Sequence, residues 1–264
     1  MCRIDRRRLL PAFALVASVV CESLGVYAQG SGRNASGIPA RRQTIASSRP
    51  QATAEELGDS LLIRRRYQQA IAEYGQVSRK SSDVWDKMGI AYELMFDVKG
   101  AMHCFKQSLR VDPDNAQAVN NLGTAYESMD EDRTAGRMYR EALKLDPRSA
   151  IIARNLGTNL LMRHKYQEGL EAYRLALKLD PHIFDGHSAS TIQDPTSLQG
   201  RGAVNYFKAK SCAQAGQMRS AVAYLRMAIM EGFTSIGKVT EDHGFAALRG
   251  TSDFQRLVAE SKEQ

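Results

Sequence analysis

A 34-residue period is the feature that most constrains the fold of this 264-residue chain. Three independent sets of residues recur at that spacing. They are the Asp-Pro pairs at 112–113, 146–147 and 180–181, the glycines at 89, 123 and 157, and the leucines at 109, 143 and 177. A fixed period of this length is the signature of stacked structural repeats, each made of one helical hairpin. The sequence therefore predicts an all-α protein.

Each 34-residue unit also carries the apolar spacing of two amphipathic helices. With units numbered from Ser82, Ala116 and Ala150, positions 4, 7, 8 and 11 form one stripe of a first helix. Positions 20, 24 and 27 form a stripe of a second helix. Proline cannot continue a helix and restricts the residue before it, so Asp-Pro should end the second helix. A single hairpin leaves its apolar face open, and neighbouring hairpins must stack to cover it.

These residues resemble the tetratricopeptide-repeat family. The pattern is carried in the first strong unit by Trp85, Met88-Gly89, Tyr92, Ala101, Phe105, Ser108 and Pro113. It recurs as Leu122-Gly123, Tyr126, Ala135, Tyr139, Ala142 and Pro147, and again as Leu156-Gly157, Leu160, Gly169, Tyr173, Ala176 and Pro181. The resemblance covers roughly residues 51–235. It implies a right-handed α-solenoid of stacked helix-turn-helix repeats.

The remaining segments are predicted to flank and interrupt this array. On the amino-terminal side we expect a signal peptide at 1–28, a flexible linker at 29–50 and a degenerate capping repeat at 51–81. Regular repeats follow at 82–115, 116–149 and 150–183. An inserted loop at 184–201, a degenerate repeat at 202–235 and capping helices at 236–264 complete the predicted organisation.

The amino terminus has the three parts of a secretory signal. Four arginines in Met1–Arg8 precede the uncharged stretch Leu9–Val20, and Val26-Tyr27-Ala28 fits a peptidase site. Twelve residues are too few to cross a bilayer, which needs about 20. We therefore expect an exported protein, periplasmic or secreted, that begins at Gln29 and has no transmembrane segment. The alternatives are an uncleaved anchor or a mistaken start site, which mass spectrometry of the native amino terminus would distinguish.

Charge distribution argues against a nucleic-acid-binding protein, and the small number of cysteines argues against a disulfide-stapled fold. The net charge of +7 would suit a nucleic-acid-binding protein, but acids are interspersed with the bases and no basic stripe carries interleaved aromatics. No nucleic-acid partner is expected. Removal of the signal would leave Cys104 and Cys212, which are expected to be buried free thiols, with one long-range disulfide as the alternative.

Recognisable catalytic motifs are absent from the sequence, including G-x-x-x-x-G-K-[ST], H-E-x-x-H and G-x-S-x-G. Asp180, His182, Asp185 and His187 bring metal-ligand types together, but without the cysteines and spacing typical of structural zinc. The sequence therefore predicts no catalytic residue, metal ligand or cofactor. A small metal-binding protein or enzyme that uses residues 182–201 is the alternative.

Candidate binding residues lie opposite the packing stripe of the first helices, at positions 2, 5, 6, 9, 12 and 13. In the resembled family this face lines the concave channel. The predicted peptide-binding groove comprises Lys87, Asn120, Asn121, Thr124, Arg154, Asn155 and Thr158. The same face carries Asp83, Asp86, Glu93 and Glu127.

Asn121 and Asn155 share position 6, and an amide offers both a donor and an acceptor to an extended peptide backbone. The alternative role is that of solvated or capping residues. Lys87 and Arg154 beside them would favour an acidic segment. Similar chaperone-binding proteins grip a terminal carboxylate with lysine, asparagine and arginine, but Asp86, Ile90 and Ile151 stand at key positions here. The sequence thus predicts a non-enzymatic scaffold for an extended peptide or partner protein, or alternatively a cell-envelope or secretion assembly factor.

Overall fold

The computed structural model describes residues 52–185 and 198–261, which form helices joined by short turns. The first eight helices are α1 (Ala54–Ile63), α2 (Tyr67–Gln76), α3 (Ser82–Leu94), α4 (Val98–Val111), α5 (Ala116–Glu127), α6 (Asp132–Leu145), α7 (Ala150–Met162) and α8 (Tyr166–Leu179). The remaining elements are α9 (Leu198–Gln214), α10 (Met218–Met230), α11 (Ile236–Glu241), a 3₁₀ helix (His243–Leu248) and α12 (Ser252–Glu260). Residues 52–185 and 198–261 contain no strand.

Consecutive helices pack in pairs, and the pairs stack. α1 packs against α2, and the same pairing is repeated through α9 and α10. The second helix of each pair also contacts the first helix of the next pair. The 3₁₀ helix contacts α9 and α12 contacts α10, so the carboxyl-terminal helices cover the last pair. The described residues form the all-α solenoid that the sequence predicts.

A glycine on the first helix faces an aromatic ring on the second helix in four successive hairpins. The pairs are Gly58 and Tyr74, Gly89 and Phe105, Gly123 and Tyr139, and Gly157 and Tyr173. A Cβ atom built on each glycine would lie 2.3–2.7 Å from a ring atom, closer than van der Waals contact allows. All four rings are fully buried. Position 8 therefore excludes a side chain because the ring at position 24 occupies that space.

The Asp-Pro pairs end the second helices, as the steric restriction before proline predicts. α4, α6 and α8 end one residue before Asp112, Asp146 and Asp180. Each aspartate accepts a hydrogen bond at 2.8–3.1 Å from the backbone nitrogen two residues later. This local bond turns the chain towards the next first helix. Asn115 and Ser149 then cap α5 and α7 through their side chains.

Cys104 and Cys212 are buried free thiols, which confirms the expectation from the cysteine count. Burial raises the pKa of the Cys104 thiol to about 11 and that of Cys212 to about 12. Both thiols therefore stay protonated at neutral pH and contribute as small apolar side chains.

One boundary differs from the sequence prediction. α9 begins at Leu198, inside the segment 184–201 that was expected to be an inserted loop. Pro195 is the last helix-breaking residue before that point, so nothing in the sequence prevents the helix from starting at 198. The predicted signal peptide and linker, and residues 186–197 of the insertion, lie outside the described residues. No helix in the described ranges is long and apolar enough to span a bilayer.

Candidate functional site

Polar side chains link the first helices of successive repeats in a regular ladder. Position 6 of each repeat donates a hydrogen bond to position 5 of the preceding repeat. The bonds join Lys87 Nζ to Glu55 Oε1 at 3.1 Å, Asn121 Nδ2 to both carboxylate oxygens of Asp86 at 3.1 Å, and Asn155 Nδ2 to Asn120 Oδ1 at 2.9 Å. In the first hairpin, Gly58 faces an aromatic ring in the same way as Gly89, which occupies position 8. Glu55 lies three residues before Gly58 and therefore occupies position 5.

Further bonds within each repeat make the ladder continuous. Asn120 Nδ2 donates to Asn121 Oδ1 at 3.1 Å, and Arg154 Nη2 donates to Asn155 Oδ1 at 3.4 Å. Each of the three asparagines therefore uses both its donor and its acceptor inside the protein. The ladder runs from Asp86 on α3 to Arg154 on α7.

The asparagines of this ladder, which the sequence predicts to line a peptide-binding groove, differ in burial. Asn120 is 1% exposed and Asn155 is 0% exposed, whereas Asn121 is half-buried. Thr124 and Thr158 are also buried, at 7% and 8% exposed. Asn155 Nδ2 is therefore engaged with Asn120 Oδ1 on α5, and a role of Asn155 in peptide binding stays a prediction.

Lys87 is also engaged within the protein. Its ammonium group lies 3.1 Å from Glu55 and 2.9 Å from Asp59, so two carboxylates neutralise it. Burial alone would raise the pKa of Asp59, but hydrogen bonds from Lys87 and Tyr74 lower it overall. Both ion pairs lie within the protein, and attraction of an acidic segment by Lys87 stays a prediction.

Three other carboxylates on this face, here called the carboxylate row, are Asp86, Glu93 and Glu127. Their hydrogen-bond donors in the described ranges are neutral. The donors are Asn121 to Asp86, Thr124 Oγ1 to Glu93 at 2.7 Å, and both Tyr139 at 2.7 Å and Asn159 at 2.9 Å to Glu127. None of the three carboxylates forms an ion pair with a described basic residue.

Burial without a cation raises the pKa of all three groups. The pKa of Asp86 rises to about 6, and that of Glu93 rises to about 7 with a further contribution from the negative charge of Asp86. Burial also raises the pKa of Glu127, although hydrogen bonds from Asn159 and Tyr139 oppose the shift. The row is a partly protonated site at neutral pH that a positive charge would stabilise.

The side of the first helices that carries positions 2, 5, 6, 9, 12 and 13 is here called the first-helix face. This face is acidic although the whole chain is basic. Across α1, α3, α5 and α7 the residues on this face are Glu55, Asp59, Asp83, Asp86, Glu93 and Glu127 against Lys87 and Arg154. The sequence predicts that Glu93 and Glu127 lie on this face, but the predicted peptide-binding residues do not include them. Their shared position 12, with a spacing of 34, was the signal that could have identified them.

The segment considered as an alternative metal site forms a turn in its described part. Asp180 Oδ1 accepts from the backbone nitrogen of His182 at 2.8 Å, and His182 Nδ1 lies 2.7 Å from Asp185 Oδ2. His187 lies outside the described residues. Among residues 52–185 and 198–261, no three His, Cys, Asp or Glu side chains are grouped so that they could hold a metal ion.

Comparisons with known families agree with this architecture. Residues 82–115 and 116–149 each match a family model described as tetratricopeptide repeat, and a second model of the same description matches 133–182. Residues 82–182 are thus identified as tetratricopeptide repeats. These repeats make the chain a scaffold for protein–protein interaction.

Several solved structures resemble this tetratricopeptide-repeat protein at low sequence identity. PilF of Pseudomonas aeruginosa is 19% identical, with 78% of this chain and 96% of that chain covered and a TM-score of 0.49. A crystal structure of MamA is 19% identical, with 70% and 98% covered and a TM-score of 0.46. A MamA structure from AMB-1 is 23% identical, with 67% and 95% covered and a TM-score of 0.44. No curated protein matched the sequence.

Proposed function

We propose that this tetratricopeptide-repeat protein binds an extended segment of a partner protein along its first-helix face, and that the segment carries basic side chains. The scaffold would act by binding and not by catalysis. Export from the cytosol, proposed from the amino-terminal signal motif, would place the partner in the periplasm or outside the cell. An assembly role in the cell envelope is compatible with the same location.

The observation that carries this proposal is the carboxylate row. Glu93 and Glu127 are half-buried and Asp86 is 8% exposed, and no basic residue in the described ranges compensates the charge of these three carboxylates. A lysine or arginine from a bound segment would supply that charge. Charge-assisted hydrogen bonds are shorter and stronger than neutral ones, so such contacts favour basic segments over neutral segments.

Neighbouring groups on the same face suit an extended chain. Asp83 and Gln117 are exposed, and Asn121 is half-buried at the edge of the ladder. Ile90 and Ile151 are half-buried on the same helices and offer apolar contacts between the polar groups. A segment lying across α3, α5 and α7 would meet polar and apolar groups in alternation.

A peptide library probed with the full chain tests this proposal. Bound peptides should be enriched in Lys and Arg, and calorimetry on one enriched peptide should give its affinity. The variant Glu93→Gln/Glu127→Gln should bind that peptide about tenfold or more weakly, since each lost charged hydrogen bond is worth about 1.5–3 kcal/mol.

Glu141→Gln/Glu171→Gln is the matched control because both residues are exposed on the second helices α6 and α8. It removes two negative charges from the molecule without touching the first-helix face, and the affinity should not change. Equal losses in both variants would show that net charge alone drives binding. A library without basic enrichment would contradict the proposed partner chemistry.

A further inference from the structure

The turns between the two helices of the first four hairpins share one backbone conformation. Arg65, Phe96, Asp130 and His164 all have a positive φ, between 59° and 61°. In each turn the next residue donates its backbone N–H to the carbonyl five residues earlier, at 2.8–2.9 Å. The turns are therefore equivalent and follow one another along one edge of the stacked hairpins. We call this edge, residues 63–66, 95–97 and 128–132, the turn edge.

The turn edge exposes apolar side chains. Ile63 is 82% exposed, Phe96 is 78% exposed, and Met95 and Met129 are 41% and 45% exposed. A bulky residue with positive φ is disfavoured, and the equivalent positions in the other turns hold Arg, Asp and His. The ring of Phe96 is mostly outside the core, so packing within the chain does not account for an aromatic residue there. Contiguous exposed apolar groups of this kind mark interaction sites.

Opposite charges flank the apolar centre of the turn edge. The first turn presents Arg64, Arg65 and Arg66, all exposed. The third turn presents the exposed residues Asp130, Glu131 and Asp132, followed by Arg133. None of these six flanking residues of the first and third turns forms an ion pair with another described residue. Between them, the second turn presents Met95 and Phe96, followed by the exposed Asp97, whose carboxylate accepts from the backbone nitrogen of Gly100 at 2.9 Å.

We propose that the turn edge binds the turn edge of a second copy of this chain. A two-fold axis through the second turn would bring Phe96 against Phe96 of the other copy. The same axis would place the basic first turn of each copy opposite the acidic third turn of the other, and Ile63 opposite Met129. In an isologous contact every pairing occurs twice, so this edge is complementary to itself in charge and in apolar character.

A second copy fits this edge better than a lipid surface does. Exposed apolar groups with neighbouring arginines would suit an anionic bilayer, but the acidic third turn lies in the same row and would be repelled. The antiparallel pairing satisfies both charged turns at once. Binding of the chain to anionic vesicles in place of self-association would overturn the proposal.

Sedimentation equilibrium of the full chain provides the first test. The chain should be dimeric at micromolar concentration, and the dissociation constant should rise with ionic strength because exposed charges are screened. Phe96→Asn keeps a residue that tolerates positive φ and should leave the melting temperature unchanged or higher. It should raise the dissociation constant about tenfold or more, the loss expected for a central aromatic contact. Met230→Asn is the matched control, because Met230 is 79% exposed at the end of α10, and it should have no effect.

Charge reversal tests the pairing geometry. Arg64→Glu/Arg65→Glu/Arg66→Glu should be monomeric, because two acidic turns would then face each other, and so should Asp130→Arg/Glu131→Arg/Asp132→Arg. A mixture of these two variants should form a heterodimer, because both pairs of facing turns again carry opposite charges. A monomeric parent, an unchanged Phe96→Asn dimer, or failure of the mixture to associate would each overturn the proposal.

Discussion

Individual polar residues at repeat positions 5 and 6 join successive repeats, in addition to the apolar packing between them. Asn155 and Asn120 are almost fully buried, and each amide has a donor and an acceptor partner within the protein. A buried amide without such partners would be costly, because its hydrogen bonds to water are lost on folding. The ladder therefore fixes the register between one first helix and the next.

Asn155→Ala should destabilise the protein by about 1–3 kcal/mol, because it leaves the Asn120 Oδ1 acceptor buried without a donor. Urea denaturation measures the change in the free energy of unfolding. Gln117→Ala is the control on the same face, where the exposed side chain should contribute less than about 0.5 kcal/mol. Equal stability of the parent and Asn155→Ala would show that the ladder does not hold the repeats together.

The raised pKa values of the carboxylate row predict a loss of stability as the pH rises. The folded protein binds protons at Asp86 and Glu93 more tightly than the unfolded chain, whose ordinary values are 3.8 and 4.5. This stability is fully present below those ordinary values and is lost as the pH rises through about 6–7. Asp59 and Asp242 have lowered pKa values, so they are ionised in both states between pH 5 and pH 8 and do not oppose the trend there.

Glu93→Gln should therefore be more stable than the parent at pH 8, by about 3 kcal/mol, because the pKa of Glu93 rises from 4.5 to about 7 and each unit corresponds to about 1.4 kcal/mol. The gain should shrink as the pH falls and disappear below the ordinary value of 4.5, where Glu93 is protonated in both the folded and the unfolded states. Unfolding curves in urea at several pH values test this, with Glu141→Gln as a control that should follow the parent. Parallel curves for Glu93→Gln and the parent would rule out a raised pKa at Glu93.

At the scale of the helical elements, each hairpin is closed by contact between a glycine and an aromatic ring. The ring of Tyr139 is held at both ends, since it packs against Gly123 and its hydroxyl donates to Glu127 at 2.7 Å. Such a ring cannot move aside without breaking a buried hydrogen bond. The spacing between α5 and α6 thus depends on the absence of a side chain at one position.

Gly123→Ala should cost about 1–3 kcal/mol, the usual range for overpacking, because the new Cβ atom would lie 2.7 Å from Tyr139. Gly75→Ala provides the opposite control, since Gly75 lies within α2 and no atom lies within 4 Å of the added methyl group. That change should stabilise the protein by about 0.5–1 kcal/mol, because alanine favours the helix. Thermal denaturation of both variants gives the signs directly, and a stable Gly123→Ala variant would refute the close contact.

At the scale of the whole molecule, different surfaces of the same hairpins carry different charge. The chain carries +7 overall, yet the first-helix face of the repeats is acidic, and the turn edge is basic at its first turn and acidic at its third turn. The same hairpins therefore present two different surfaces, one suited to a basic segment and one complementary to itself. A net charge read from composition describes neither surface, because each depends on which side of a helix a residue occupies.

The sequence by itself determined the repeat architecture, because a 34-residue period, the glycine–aromatic pairs and the Asp-Pro helix ends are local patterns with a direct steric meaning. It also placed Asn121, Asn155, Glu93 and Glu127 on one face, since helical periodicity decides which side of a helix a residue occupies. Only the tertiary structure decided which of these side chains are engaged within the protein. The offset between neighbouring first helices places position 6 against position 5 of the preceding repeat. Asn155 and Lys87 therefore bond within the protein. The carboxylate row has no cation partner among the described residues. That offset depends on how two packed surfaces fit together, and no pattern within a single repeat encodes it.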